Sequence, residues 1–145
     1  MSKSGQGEVF GAYGGIMRFD FKYVPDEWPK KKHHGNRSIP GFVPGRGGEL
    51  VGKCPNAMST DLCERLLNEG IAYSSGRWSK PYPQNIYNIH AGAIYRATQT
   101  QPGVSYHGFP VLPAELKQLP RALKEQLLNL AEKKNCRQKI ERLLF

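Results

Sequence analysis

Acidic residues, cysteines and long apolar runs are all scarce in this sequence of 145 residues. Its 12 Asp and Glu stand against 21 Lys and Arg, and the net charge of +9 favours a polyanionic partner such as nucleic acid. Three cysteines, an odd number, argue against a disulfide scaffold. No apolar run approaches the roughly 20 residues of a membrane-spanning helix, so we expect no membrane partner. Residues 1–7 contain no apolar segment, so we expect no Sec-type signal peptide.

Glycine and proline crowd the first third of the chain. We expect residues 1–49 to form an irregular, basic segment and residues 50–145 to form a compact domain. Within the first segment, alternating side chains predict one strand over residues 16–24. Residues 29–37 are expected to be an exposed basic loop. Residues 39–48, with two Pro and four Gly, are expected to be a loop.

Helical signals flank the middle of the second segment. Ser59 is suited to cap a helix over residues 60–69. Near the C-terminus, Pro113 is suited to open a helix and Pro120 to divide it in two. Leucines at three- and four-residue steps give these helices one apolar stripe: Leu116, Leu119, Leu123, Leu127 and Leu130.

Between the helical segments, β-branched and aromatic residues predict three strands over residues 85–90, 93–100 and 104–109. Ala91-Gly92 and Pro102-Gly103 supply the two connecting turns. The predicted fold class is α+β, with a small antiparallel sheet of three to four strands packed with an N-terminal helix and C-terminal helices.

The sequence contains incomplete versions of two motifs, a phosphate-binding loop and a zinc site. Residues 47–54 resemble a phosphate-binding loop, but Cys54 replaces its hydroxyl residue, which favours a Gly-rich turn entering a short strand. The spacing of the possible zinc ligands matches no zinc pattern: these are His33, His34, Cys54, Cys63 and Cys136. We therefore expect neither a metal nor another cofactor.

The predicted hairpin pairs His90 with Ala93, Asn88 with Tyr95, and Tyr87 with Arg96. Neither of its faces is purely apolar, which is unusual for a sheet that only covers a core. One face carries Asn85, Tyr87, Ile89, Ile94, Arg96 and Thr98, and the other carries Ile86, Asn88, His90, Ala93, Tyr95 and Ala97. The register of the third strand stays open, so either His107 or Tyr106 joins Arg96.

These residue types suit RNA cleavage without a metal. A neutral His107 can take the proton of a ribose 2′-hydroxyl, and Arg96 can stabilise the charge on phosphorus. His90, Lys80 or Tyr106 can protonate the leaving oxygen. The alternative is structural, with His107 hydrogen-bonded beside Gly108 and Arg96 stacked on a cross-strand tyrosine.

Candidate RNA contacts lie in a Pro-containing loop before the sheet. Trp78 and Tyr82, near Arg77 and Lys80, can stack on unpaired bases, and Tyr95 is a further candidate on the sheet. Residues 111–145 add eight Lys and Arg against four Glu. These cations can also simply solvate the polar side of the helices.

The layout of residues 48–145 resembles the toxin domains at the C-termini of bacterial polymorphic toxins. The similar segments are Leu50-Val51-Gly52-Lys53-Cys54-Pro55, Gly70-Ile71, Ile94-Tyr95-Arg96-Ala97-Thr98 and Ser105-Tyr106-His107-Gly108-Phe109-Pro110. The resemblance is to the barnase, EndoU, colicin and RelE group. It implies an endoribonuclease using His107, Arg96, His90 and Lys80, with RNA and an acidic immunity protein as partners. Such a protein would be cytoplasmic, or delivered into a target cell by a non-Sec route.

Two further functions remain open. Tyr106-His107-Gly108 resembles the motif of diphtheria-type ADP-ribosyltransferases, which also need a late glutamate. The candidates for it lie in helical patterns: Glu115, Glu125, Glu132 and Glu141. The third possibility is a basic module without enzymatic activity that binds nucleic acid or an acidic protein.

Overall fold

A computed structural model of the chain describes residues 8–10, 20–24, 41–44, 50–53 and 58–145. Within these residues the chain forms eight strands and four helices. The strands are β1 (Glu8–Phe10), β2 (Lys22–Tyr23), β3 (Gly41–Pro44), β4 (Leu50–Lys53), β5 (Ile71–Ser74), β6 (Asn85–His90), β7 (Ala93–Gln101) and β8 (Ser105–Pro110). The helices are α1 (Thr60–Asn68), α2 (Pro113–Lys117), α3 (Arg121–Lys133) and α4 (Arg137–Leu144).

The predicted α+β fold class is confirmed, but the sheet is larger than predicted. Six strands are joined in the order β1-β5-β6-β7-β8-β2, and β3 and β4 form a separate two-stranded sheet. All neighbours in the large sheet are antiparallel except β2 and β8, which are parallel. Apart from β2, which falls within the strand predicted over residues 16–24, the added strands have three or four residues each, too few for an alternation of side chains to reveal them.

Three of these strands lie in the segment that was expected to be irregular. Gly41–Pro44, expected to be a loop, pairs with β4 as β3. Its proline occupies the terminal pair with Leu50, where a missing N–H disturbs the ladder least. Of the strand predicted over residues 16–24, only Lys22–Tyr23 is a strand among the described residues. Residues 11–19, the basic loop over 29–37, residues 45–49 and Cys54 lie outside the described residues.

The helices begin where the capping and proline signals predict. Ser59 Oγ accepts a hydrogen bond from the Leu62 N–H at 3.1 Å, and α1 follows it. Pro113 occupies the first turn of α2, and Pro120 immediately precedes α3. None of the helices in the described ranges is long and apolar enough to cross a membrane.

The hairpin between β6 and β7 has the predicted register. His90 pairs with Ala93, Asn88 with Tyr95, and Tyr87 with Arg96. Ala91 and Gly92 have φ values of 50° and 75°, as a two-residue type I′ turn requires. The turn from β7 to β8 likewise contains a left-handed glycine, Gly103, with φ of 76°.

The sheet is covered on both faces, so two apolar layers form. On one face, here called the α1 face, the buried residues are Tyr23, Ile86, Tyr95, Ala97 and Tyr106, packed with Met58, Cys63 and Leu67. On the opposite face, here called the α3 face, the buried strand residues are Ile71, Tyr87, Ile89 and Ile94. Helical residues bury this second face, among them Leu116, Leu123, Leu127, Leu130, Ile140 and Leu144.

Candidate functional site

The register of β7 and β8 brings Arg96 and His107 onto the same face. Arg96 pairs with Phe109, and Thr98 pairs with His107. Because paired residues share a face, Ser105, His107 and Phe109 join Arg96 on the α3 face. Of the two residues that the sequence left open, His107 shares a face with Arg96, and Tyr106 lies on the α1 face.

His107 lies at the end of a row of half-buried side chains that crosses four strands. Pairing places Tyr73 opposite Asn85 and Thr98 opposite His107, and the pairing of Ile86 with Ala97 puts Asn85 next to Thr98. We call Tyr73, Asn85, Thr98 and His107 the polar row. All four side chains are of intermediate exposure, whereas the apolar residues under α3 are buried. The polar row thus lies beside the covered part of the face.

Thr100 determines which nitrogen of His107 carries the proton. Its Oγ1 donates a hydrogen bond to the Val24 carbonyl at 2.5 Å and lies 2.8 Å from His107 Nδ1. A hydroxyl has one proton, so toward Nδ1 it acts as the acceptor. Nδ1 is therefore protonated, and the neutral ring carries its lone pair on Nε2. That is the protonation state a general base needs.

Arg96 is held by an acid and by an aromatic ring. Its Nη1 lies 2.5 Å from Glu115 Oε2 of α2, and its guanidinium carbon lies 5.1 Å from the Phe109 ring centre. The same ring lies 6.2 Å from the His107 ring centre. The Phe109 ring therefore lies close to both Arg96 and His107. A guanidinium has five N–H donors, so the Glu115 pair leaves donors that can serve an oxyanion.

Tyr87 pairs with Arg96 across the strands and is almost fully buried. Burial raises the pKa of its phenol, and the charge and hydrogen bond of Arg96 oppose this rise without overcoming it. Tyr87 thus stays protonated at neutral pH. It supports Arg96 from the core and is too enclosed to reach a substrate.

The edge strand β2 adds a cation that sequence reasoning missed. Lys22 pairs in parallel with Ser105, so it projects on the α3 face beside the strand that carries His107. Its side chain is exposed. The alternation of residues 16–24 indicated a strand here, but a two-residue parallel contact with β8 has no sequence signal of its own.

The structure does not bring His90 together with His107. His90 lies on the α1 face at the turn between β6 and β7, whereas His107 lies on the α3 face. Burial, followed by the charges of Lys134 and Arg65, lowers the pKa of His90. Its predicted role as the partner acid therefore has no geometric support.

Tyr106 and Tyr95 also lie on the α1 face, away from His107. Tyr106 is fully buried and donates a hydrogen bond to the Pro83 carbonyl at 2.5 Å. Burial raises its pKa to about 12, so Tyr106 keeps its proton at neutral pH, and its enclosed hydroxyl is not accessible to a substrate. Tyr95 is buried in the layer beneath α1. Both residues support the core in this structure.

The four remaining candidates share the loop between β5 and β6. Trp78 Nε1 donates to the Tyr82 carbonyl at 2.6 Å, and their rings meet edge to face at 5.7 Å. Arg77 and Lys80 are exposed in the same loop. A Cβ built on Gly103 would lie 3.3 Å from the Tyr82 ring, so the loop packs against the turn that precedes β8. Its aromatic pair and His107 therefore lie at the same end of the sheet.

Among the described residues, no three His, Cys, Asp or Glu side chains are grouped to hold a metal ion. Glu115 is the helix glutamate that reaches Arg96, and its carboxylate is engaged there. That ion pair does not favour its use as the catalytic glutamate of an ADP-ribosyltransferase.

Comparisons with protein-family models, with curated proteins and with solved structures found no match to this chain.

Proposed function

We propose that this chain is a metal-independent endoribonuclease that acts as a small basic toxin. The observation that carries the proposal is the location of His107 and Arg96 on one face of the sheet, with the His107 lone pair on Nε2. The proposed partners are RNA and, for a toxin, an acidic inhibitor protein.

The proposed reaction begins with His107 as general base. Nε2 takes the proton of a ribose 2′-hydroxyl, and the 2′-oxygen attacks the adjacent phosphorus. The bond from phosphorus to the 5′-oxygen of the next nucleotide breaks, which leaves a 2′,3′-cyclic phosphate. Arg96 stabilises the additional negative charge on the phosphorane, because its donors are already oriented by Glu115 and Phe109.

The departing 5′-oxygen requires a proton, and Lys22 is the candidate donor that the geometry offers. It projects on the same face from β2, next to the strand of His107. Lys80 is a second candidate, because it is exposed in the loop between β5 and β6, whose Tyr82 packs against the turn before β8. His90 is withdrawn from this role because it lies across the sheet.

RNA binding is supported by charge and by the aromatic pair at the same end of the sheet. The net charge of +9 attracts a polyanion, and phosphate contacts supply most of the affinity of such interfaces. Trp78 and Tyr82 are half-buried and rigidly paired, so they offer ring surface at little conformational cost. Single-stranded RNA is the substrate that suits this combination.

The test is induced expression in bacteria of the intact chain and its His107→Ala and Arg96→Gln variants. Arg121→Gln is the matched control, since Arg121 is exposed in α3 and pairs with Glu125 at 3.6 Å. Total RNA is separated on a denaturing gel, and each purified variant is checked for folding by thermal melting.

We expect growth arrest and discrete RNA fragments with the intact chain and with Arg121→Gln, and neither effect with the two site variants. Arrest with intact RNA would overturn RNA cleavage and favour ADP-ribosylation. Normal growth with intact RNA from folded protein would overturn both enzymes and leave a basic binding module.

A further inference from the structure

Three cationic side chains and His90 surround the turn between β6 and β7, at the opposite end of the sheet from Thr100. His90 ends β6, and Lys134 Nζ reaches its strand, donating to Asn88 Oδ1 at 2.9 Å and to the Ile89 carbonyl. A Cβ built on Gly92 would lie 2.8 Å from Lys139 Nζ, so Lys139 of α4 lies against the turn. Arg65 of α1 is the neighbour of Leu66, whose carbonyl accepts a hydrogen bond from Asn88 Nδ2 at 2.7 Å, and its charge contributes to lowering the pKa of His90.

We call Arg65, His90, Lys134 and Lys139 the basic turn cluster. They come from four separate elements: α1, β6, the end of α3 and α4. Arg65 and Lys139 are exposed, and within the described ranges neither forms an ion pair. Two other exposed arginines differ in this respect, since Arg121 of α3 pairs with Glu125 and Arg137 of α4 pairs with Glu132.

The electrostatics of the cluster show an excess of positive charge. Besides burial, the charges of Lys134 and Arg65 lower the pKa of His90. The pKa of Lys134 is lowered by burial and by Arg65, while Cys136 and the nearby Glu69 act in the opposite direction. Glu69 is thus one glutamate near several cations, and an anion bound here would reduce the repulsion between these cations.

We propose that the basic turn cluster binds the phosphodiester backbone of RNA, as a second contact separate from the proposed cleavage site. The choice of ligand rests on the proposed function, whereas the cation cluster itself does not. The pairs His90–Ala93 and Thr98–His107 are five positions apart along β7, which corresponds to about 17 Å at 3.4 Å per residue. His90 and His107 also lie on opposite faces of the sheet, so the basic turn cluster is a contact separate from the proposed cleavage site.

Surface chemistry favours RNA over an acidic protein as the ligand. Protein interfaces usually have an apolar or aromatic centre within a polar rim. The large exposed apolar residues in the described part of the chain are Val24, Val104 and Phe145, and none lies at the basic turn cluster. Cations without such a centre are typical of a surface that tracks a phosphate backbone.

The test measures binding of a fluorescent single-stranded RNA of twelve nucleotides to the full chain carrying His107→Ala, so that cleavage does not interfere. Fluorescence anisotropy gives the affinity at several salt concentrations. Arg65→Gln and Lys139→Gln are compared with Arg121→Gln, which removes the same charge from a distant exposed position of α3. Poly-glutamate of matched length is the competing probe, and the NMR titration of the His90 ring is a second readout.

Loss of one phosphate contact lowers the slope of log affinity against log salt by about 0.7 for single strands. We expect this change from Arg65→Gln and from Lys139→Gln, no change from Arg121→Gln, and a rise in the pKa of His90 when RNA binds. Equal slopes in all three variants would overturn the proposal. Equal affinity for poly-glutamate would also overturn it and would favour an acidic protein.

The outcomes for this second contact and for the ribonuclease are separable. Cleavage by the parent chain with unchanged salt slopes would contradict the cluster alone. Changed slopes without cleavage would retain the cluster and contradict the ribonuclease.

Discussion

At the residue scale, the proposed chemistry depends on one threonine. Thr100 Oγ1 links the carbonyl of Val24, which follows the edge strand β2, to His107 Nδ1, and its single proton favours the Nδ1-protonated tautomer. Without that hydroxyl, Nδ1–H loses the acceptor that favours this tautomer. A ring with its proton on Nε2 has no lone pair there for a 2′-hydroxyl.

Thr100→Val should therefore shift neutral His107 away from the Nδ1-protonated tautomer, and Thr100→Ser should retain it. The ¹⁵N chemical shifts of the ring measure the tautomer directly, whether or not the protein cleaves RNA. We further expect the RNA cleavage rate to fall by about 10- to 100-fold in Thr100→Val, because a misdirected catalytic group loses most of its advantage. An unchanged tautomer in Thr100→Val would contradict this role.

At the element scale, the junction of α1 and β5 allows little space. A Cβ built on Gly70 would lie 2.6 Å from Ile86 Cγ2 and 2.7 Å from the Tyr87 carbonyl oxygen. The second contact is backbone and cannot rotate away. Glycine here lets α1 end directly against β6, which seals the apolar layer of the α1 face.

Gly70→Ala should lower the free energy of unfolding by about 2 kcal/mol, the usual cost of overpacking a core. Gly108→Ala is the matched control, because its Cβ would meet no atom closer than 3.5 Å. We expect that control to change stability by less than about 1 kcal/mol. Urea unfolding of both variants measures the difference, and equal stabilities would refute the close approach at Gly70.

Most long elements were predictable from local signals, and the short ones were not. Ser59, Pro113 and Pro120 mark helix starts, and Ala91-Gly92 sets the register of β6 and β7. β5 follows α1 after a single glycine and has four residues, too few for a period to show. β1 has three residues, and its pairing with β5 has no sequence signal of its own.

The candidate site was only partly predictable for the same reason. His107 and Arg96 stood out by residue type, but their shared face depends on the register of β7 and β8. That register shifts at a bulge between Gln99 and Gln101, and no pattern of residues in the sequence predicts this bulge. The parallel contact of β2 with β8 brings Lys22 beside Ser105 and the Val24 carbonyl to Thr100. Residue type alone made His90 as good a candidate as His107. The turn at Ala91-Gly92 pairs His90 with Ala93, and this pairing places His90 on the α1 face.

At the scale of the whole molecule, the apolar layer of the α1 face encloses tyrosines that must stay neutral. Tyr106 is fully buried, and its pKa is raised to about 12 by burial. In the unfolded chain a tyrosine titrates near 10. Between these values the unfolded state releases a proton that the folded state retains, so stability falls as pH rises from about 10 to 12.

Tyr106→Phe should therefore make the loss of stability above pH 10 less steep than in the parent chain. Urea unfolding at pH 8, 10 and 11 gives the free energies, and absorbance of tyrosinate follows the titration. The variant loses the hydrogen bond to Pro83, so we expect lower stability at pH 8 but a smaller further loss at pH 11. Parallel pH profiles of parent and variant would contradict the raised pKa.

The most direct measurement of the central claim is cleavage of a defined RNA by the purified chain in excess EDTA. If His107 and Arg96 form a metal-independent site, the RNA is cut and the fragments end in a 2′,3′-cyclic phosphate. His107→Ala should then lower the rate by about 10²- to 10⁴-fold, the usual contribution of a general base. An uncut RNA with folded parent protein, or equal rates for parent and His107→Ala, would contradict the claim.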